Sequence, residues 1–291
     1  MTAIQLKRDA ADRGGWPALA RSRTPAAAVA HAPPSESGDD AARLPVLPLG
    51  IVVAGDWANG DELLGSLPRG YEAGRPGLIT PAGDHLHASI KPQDGRLSQV
   101  MAEGVPFGGF DPEAVDRCPQ VATFVCPGGS VRRARRAMHL VSDLFDAGSA
   151  GVLILTSGGA FTAETWREVA TEDAGELLAF TTFGREDSQL VGQPSIYSAG
   201  LHALGWPDAA VPAGEVHQVA LFNLQEFISR TLCGGEVPDD GDEVMGLGQI
   251  SRDGTSGKLI PSYRARRTAC RHLPQGSPRH NPFGLFALDP L

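Results

Sequence analysis

Four arginines crowd the stretch after one serine. Ser130 is followed by Arg132, Arg133, Arg135 and Arg136 and preceded by Pro127-Gly128-Gly129, and a second glycine pair stands at Ser157-Gly158-Gly159. Backbone N–H groups at a Gly-Gly-Ser helix start, with guanidinium groups beside them, are what a phosphate or other small anion needs. The competing reading is electrostatic housekeeping. In a chain with 34 acidic residues, four arginines on one helix face also serve as surface ion-pair partners. Their position carries a cost, since cations in the first turns oppose the helix dipole by about 0.3–1 kcal/mol each when exposed. Arg132 also faces Arg136 as a like-charge pair four residues apart. Neither loop carries a phosphate-binding fingerprint. The candidate ligand-binding set is therefore Gly128, Gly129, Ser130, Arg132, Arg133, Gly158 and Gly159, and the ligand a small anion.

Other reactive residue types assemble into nothing comparable. Asp239, Asp240, Asp242 and Glu243 lack the spacing of a calcium loop and read as a solvated turn. His85 and His87 alternate on one face of a strand, without a third metal ligand nearby. Ser130 and Ser157 are better placed for caps and turns than for attack, and no Gly-x-Ser-x-Gly occurs. Cys126 would be activated near a helix start flanked by arginines if it were exposed, but the apolar run before it reads as buried. No catalytic residue, metal site or cofactor is assigned, and whether the chain is an enzyme is left open, with a non-enzymatic role favoured.

The elements that must position these residues run from Val121 to Ala170. Val121 to Cys126 is a buried-strand run. Ser130 stands at a helix N-cap, and Val131, Ala134, Met138, Val141 and Phe145 form one apolar stripe at helical spacing. Ala147-Gly148 ends that helix, and Gly151 to Thr156 is a second apolar strand. Thr162 caps another helix. Two apolar strands joined by a helix predict a parallel βαβ unit with both glycine loops at one sheet edge, outside which ligands of open α/β sheets tend to bind.

Elsewhere the pattern is coarser. Residues 1–43 hold Ala, Pro and acidic residues without a core face and are predicted to be a disordered tail. A single α/β domain is predicted over 44–263, opening with a strand at Leu49 to Ala54. Leu177 to Phe183 reads as a strand, and Glu215 to Leu232 as a long helix lined by Leu221, Leu224 and Ile228. Asp253-Gly254 signals a hairpin. From Arg264 the chain turns to Arg, Pro, His and Gly with one apolar run, Phe283 to Leu288, and 264–291 is predicted to be a second disordered tail. The fold class is α/β, a mixed sheet around a central parallel βαβ unit.

The totals bound the role. The chain has 291 residues and a formal net charge of −9, so a nucleic-acid partner is not expected, because phosphate backbones select basic faces. Cys118, Cys126, Cys233 and Cys270 form no Cys-x-x-Cys pair, which suits a reducing compartment. No segment approaches the roughly eighteen apolar residues of a membrane span, and no apolar signal segment opens the chain. The expected location is cytoplasmic.

Four pieces carry a resemblance: PQVATFVCPG (119–128), GVLIL with FTAETW after it (151–166), SAGLHALGWPDAAV (198–211) and VPDDGDEVMGLG (237–248). Together they resemble the bacterial domain of unknown function 4261, over roughly residues 47–263 and more closely after Asp111. The strand after Trp206 departs from that pattern by being less acidic. The resemblance implies an α/β fold and a cytoplasmic bacterial protein, and it implies no activity. The expected role is a non-enzymatic binding or protein-interaction domain. The alternative is an enzyme or sensor that takes a small anion at the Gly128-Gly129 and Gly158-Gly159 loops.

Overall fold

The structure is a computed structural model. It describes residues 46–291 except 76, 107–110, 173, 187–193, 214–216, 235–236, 251–256 and 270–275. The expected N-terminal tail therefore lies outside the described residues, as does the Asp253-Gly254 turn.

The first sheet is built on β1 (Leu47–Gly55), β4 (His85–Pro92), β6 (Gln120–Gly128) and β7 (Ser149–Ile154), with helix α1 (Gly60–Ser66) after β1 and α4 (Val131–Asp146) after β6. Their order in the sheet is β4-β6-β1-β7, and β1 pairs antiparallel with both β6 and β7. The predicted βαβ unit is thus corrected in one respect. β6 and β7 run in the same direction, but β1 lies between them and takes both of their ladders. With β4 antiparallel to β6, the four strands and two helices form the split βαβ arrangement called ferredoxin-like. Short strands extend this sheet at both sides: β2 (Glu72–Ala73) and β3 (Gly77–Ile79) beyond β4, β8 (Gly159–Phe161) and β5 (Val105–Pro106) beyond β7.

Alternation along β1 sorts the two faces. Leu49, Ile51 and Val53 pack with Phe124 and Cys126 of β6 under Ala134, Met138, Leu140, Val141, Leu144 and Phe145 of α4. The predicted stripe is there, widened by Leu140 and Leu144. On the opposite face Ala54 and Leu153 meet Leu97 and Met101 of α2 (Leu97–Glu103) and Val115 of α3 (Pro112–Asp116). Asp111 caps α3 through the Glu113 N–H, with Pro112 at its first position, as its sequence signals.

The second sheet has the order β12-β13-β14-β11-β10-β9. Its strands are β9 (Thr182–Glu186), β10 (Ser195–Ala199), β11 (Asp208–Pro212), β12 (Glu243–Ile250), β13 (Gly257–Thr268) and β14 (Leu285–Pro290). Helix α7 (His217–Gly234) covers one face, with Leu224 and Ile228 buried and Phe227 edge-on to Phe286 at 5.8 Å. α5 (Ala163–Thr171) and α6 (Gly175–Phe180) complete the described helices. The predicted strand over Leu177 to Phe183 is mostly helix: α6 occupies it up to Phe180, and β9 begins at Thr182.

The predicted C-terminal tail is not a tail. β14 sits inside the second sheet, parallel to β11 and antiparallel to β13, and Leu285 to Leu288 are at most 1% exposed. Arg264, Arg266 and Arg267, read as the start of that tail, belong to β13, and the last two have partners from β14 and from the acidic turn. Arg266 makes a two-pronged ion pair with Asp289 at 2.7 and 3.2 Å. The Arg267 guanidinium lies 5.8 Å from the centre of the Phe286 ring, and the Arg267 backbone N–H donates to Asp240 Oδ1 at 2.8 Å. Asp239–Asp242 is accordingly a clip on β13, with the Gly241 N–H donating to the Ala265 carbonyl.

Candidate functional site

Arg133, Arg135 and Arg136 of α4 each reach a different partner. Ser130 caps the helix by accepting from the Arg133 N–H, and the Arg133 guanidinium turns back to the Gly128 carbonyl at 3.3 Å. Arg135 is ion-paired with Glu176, and Arg136 with Asp84 at 2.8 Å. Arg132 is exposed. The guanidinium groups diverge along the helix and do not surround a common point.

The two glycine loops do meet, through a third segment that sequence reasoning left unassigned. Leu201–Leu204 is a single 3₁₀ turn between β10 and β11, flanked by Gly200 and Gly205. Both glycines are left-handed, with φ of 109° and 90°. The Gly205 Cα presses on the first loop, where an added Cβ would stand 2.5 Å from the Gly129 carbonyl oxygen. The Gly200 Cα presses on the second, where a Cβ would stand 2.9 Å from the Ser157 Cβ and 2.1 Å from the Phe180 oxygen. The Gly129 N–H donates to the Ala203 carbonyl, so the turn occupies the first loop's amide. The G-x-x-x-x-G spacing around HALG was the available signal. It reads as punctuation until two close approaches explain why neither end tolerates a side chain.

A charge does stand at the second loop, and it comes from the far end of the chain. The Arg279 guanidinium lies against Gly158, about where a side chain on that left-handed glycine would go. Arg279 is held on both sides. The ring Nε2 of His202, on the turn, is 3.1 Å from the Pro278 carbonyl, and Asn281 donates to the Trp206 carbonyl and to Asp208 Oδ2, both at 2.9 Å. Asp208 is fully buried and accepts from the Leu201 N–H at 3.1 Å and from the Ser198 hydroxyl at 3.4 Å. One carboxylate thus ties β10, the turn and the 278–281 strap together.

Burial governs the titration here. It pushes Asp208 up to about 7, against the pull of its hydrogen bonds and of Arg279. It pushes His202, 3% exposed, down to about 4, with the charge of His280 acting the same way. A carbonyl can only accept, so a neutral His202 carries its proton on Nε2, and Nδ1 presents a bare lone pair. That Nδ1 has no hydrogen-bond partner among the described residues, and neither do the buried Thr156 Oγ1, Thr181 Oγ1 and Arg279 Nε. All four belong to segments that converge on Ser157 and Gly158. The Thr182 hydroxyl donates to the Ser157 carbonyl at 2.6 Å, and Ser157 Oγ accepts from the Gly159 N–H at 3.2 Å. Buried polar atoms are rarely left unpaired.

The remaining candidates are structural. The Cys126 thiol is pushed up to about 12 by burial and then by Asp84, so it is inert at neutral pH. His85 and His87 are exposed, and no group of three metal-ligating residues occurs among the described residues. No described helix is long and apolar enough to cross a membrane. Compared with family models, with curated proteins and with solved structures, the chain matches none.

Proposed function

We propose that the chain is a non-enzymatic binding domain whose ligand is a small oxyanion, held at Ser157-Gly158-Gly159 by Arg279. The observation that carries this reading is the convergence on that loop of segments that carry unpaired buried polar atoms. Arg279 Nε–H and the hydroxyls of Thr156 and Thr181 are donors, and His202 Nδ1 is an acceptor for a bound water or a ligand hydroxyl. An oxyanion with a guanidinium partner makes the stronger, charge-assisted kind of hydrogen bond. The first loop has no part in it, because the turn fills it. Membership of the bacterial family that the motifs resemble, and a reducing compartment for the buried free thiols of Cys118 and Cys126, belong to the same proposal.

Thermal unfolding with sulfate against a chloride baseline tests it. Saturable stabilisation is expected, about 2.7 kcal/mol at one hundred times the dissociation constant. It should vanish in Arg279→Met and persist in Arg132→Glu. A response that survives Arg279→Met, or no saturable response, refutes the reading.

A protein partner is the second reading, for a different face. α2 and α3 cover only the β7 side of the first sheet, leaving Val125, 37% exposed, with His87, Thr123 and Ser89 beside it. Glu72 and Lys91 are exposed on the same face, so a second copy turned by a two-fold axis meets opposite charges. Sedimentation of wild type against Val125→Asp checks this, and identical monomeric profiles exclude it.

A further inference from the structure

The Arg279 site has a carboxyl built into its support. Asp208 is on β11 with no exposure to solvent, one residue beyond the Trp206-Pro207 pair. It holds the strap through Asn281, two residues after Arg279, and the turn through Leu201. Among the described residues three donors reach it, and none is a cation: the Leu201 N–H, the Ser198 hydroxyl and the Asn281 amide. Arg279 acts on it electrostatically without a direct ion pair among those contacts. The other titratable groups of this neighbourhood are Tyr197 and Glu186 on β10 and β9, His202 on the turn and His280 on the strap.

Resting on the oxyanion reading, we propose that anion binding at Arg279 is coupled to proton uptake by Asp208, which makes the site a proton-linked receptor. The physics is a competition between two negative groups for one guanidinium, with Asp208 itself fully buried. An incoming anion raises the cost of keeping Asp208 ionised, and a proton on Asp208 removes that cost while its oxygens keep accepting from Leu201 and Asn281. By linkage, whatever favours the proton favours the anion, and the reverse. The balance is complete without a third reactant: one anion and one proton enter together. Burial already holds this carboxyl near neutrality, so the coupling falls where small changes of pH act on it.

Sulfate is the probe, because it does not titrate in this range. Its affinity should be flat below pH 6 or so and weaken by up to tenfold per pH unit above about 7. In Asp208→Asn, binding should remain and the pH dependence should disappear. Calorimetry of the wild type in buffers of different ionisation enthalpy gives the proton count directly, which keeps the proposal falsifiable if that variant does not fold. Uptake approaching one proton per sulfate at about pH 8 is expected. Sulfate binding that depends on Arg279 but takes up no proton, or an unchanged pH profile in Asp208→Asn, overturns the coupling and leaves the oxyanion reading standing. No saturable sulfate binding at any pH overturns both.

Discussion

Asp208 and His202 make opposite demands on pH, and removing either should uncover the other. The Asp208 carboxyl stands at about 7 in the folded protein against an ordinary 3.8. Between those values the folded state holds a proton that the unfolded chain has released. Its contribution to stability is therefore full below about pH 3.8 and declines as pH rises to about 7. His202 stands at about 4 against an ordinary 6.5. Here the unfolded chain takes the proton first, so this contribution is full above about pH 6.5 and is lost as pH falls towards 4. Each slope is about 1.4 kcal/mol per pH unit, and the two have opposite signs. From about pH 4 to 6.5 they nearly cancel. Asp208→Asn should leave the histidine slope alone, so that unfolding free energy rises by roughly 3 kcal/mol across that window. His202→Gln keeps a donor for the Pro278 carbonyl and leaves the aspartate slope alone. Relative to wild type its unfolding free energy should fall by roughly 3 kcal/mol between about pH 4 and 6.5. Urea unfolding at closely spaced pH values and constant ionic strength measures this, read as differences from wild type so that all other groups drop out. Parallel profiles for the three proteins would refute the reasoning, because they would mean that neither group is held away from its unfolded behaviour.

The other expectations concern packing and the turn. Gly205→Ala and Gly200→Ala should each cost more than the roughly 1 kcal/mol of an ordinary glycine replacement, since each adds a backbone clash to a left-handed φ. Urea midpoints check this, and a cost below about 0.5 kcal/mol in both would mean that the turn does not press on the loops. Met138→Ala or Phe145→Ala should cost roughly 2–5 kcal/mol by opening a cavity in α4's packing. Asp143, though on the helix's outer side, accepts from the Tyr71 hydroxyl at 2.5 Å, so Asp143→Ala should cost about 1–3 kcal/mol rather than nothing. In a double-mutant cycle with Tyr71→Phe, additive losses would show that this bond contributes little. Deleting residues 285–291 should abolish cooperative unfolding of the second sheet, seen as a lost heat-absorption peak.

What was legible in the sequence was local. The α4 stripe, the caps at Ser130, Thr162 and Asp111, and the runs that became β6 and β7 all carry their signals within a few residues. What failed is a matter of which strand lies beside which. Strands β6 and β7 have the parallel direction that a helical crossover requires, but β1, some seventy residues earlier, fills the gap between them. Nothing in the periodicity of VATFVC or GVLILT distinguishes a neighbour from a strand one place away. The C-terminal error has the same cause. A run as short as FGLFAL earns no strand on local pattern, yet between β13 and β11 both of its backbone edges are paired.

The candidate site shows the same limit in sharper form. The glycine loops were visible, and the anion chemistry was assigned to the arginines nearest in sequence, because sequence offers no other measure of proximity. In the fold Arg133 turns back to Gly128, Arg135 pairs with Glu176 and Arg136 with Asp84, and the guanidinium at Gly158 comes from residue 279. It gets there because β14 must enter the sheet beside β11, which draws the preceding strap across Trp206, Asp208 and the turn. His202 and Asp208 then take two of the strap's polar groups, the Pro278 carbonyl and the Asn281 amide. On the oxyanion reading, binding at Arg279 and docking of β14 are one energetic event seen from two ends. A ligand that orders the strap stabilises a strand it never touches, and a change that loosens β14 weakens a site to which that strand contributes no side chain.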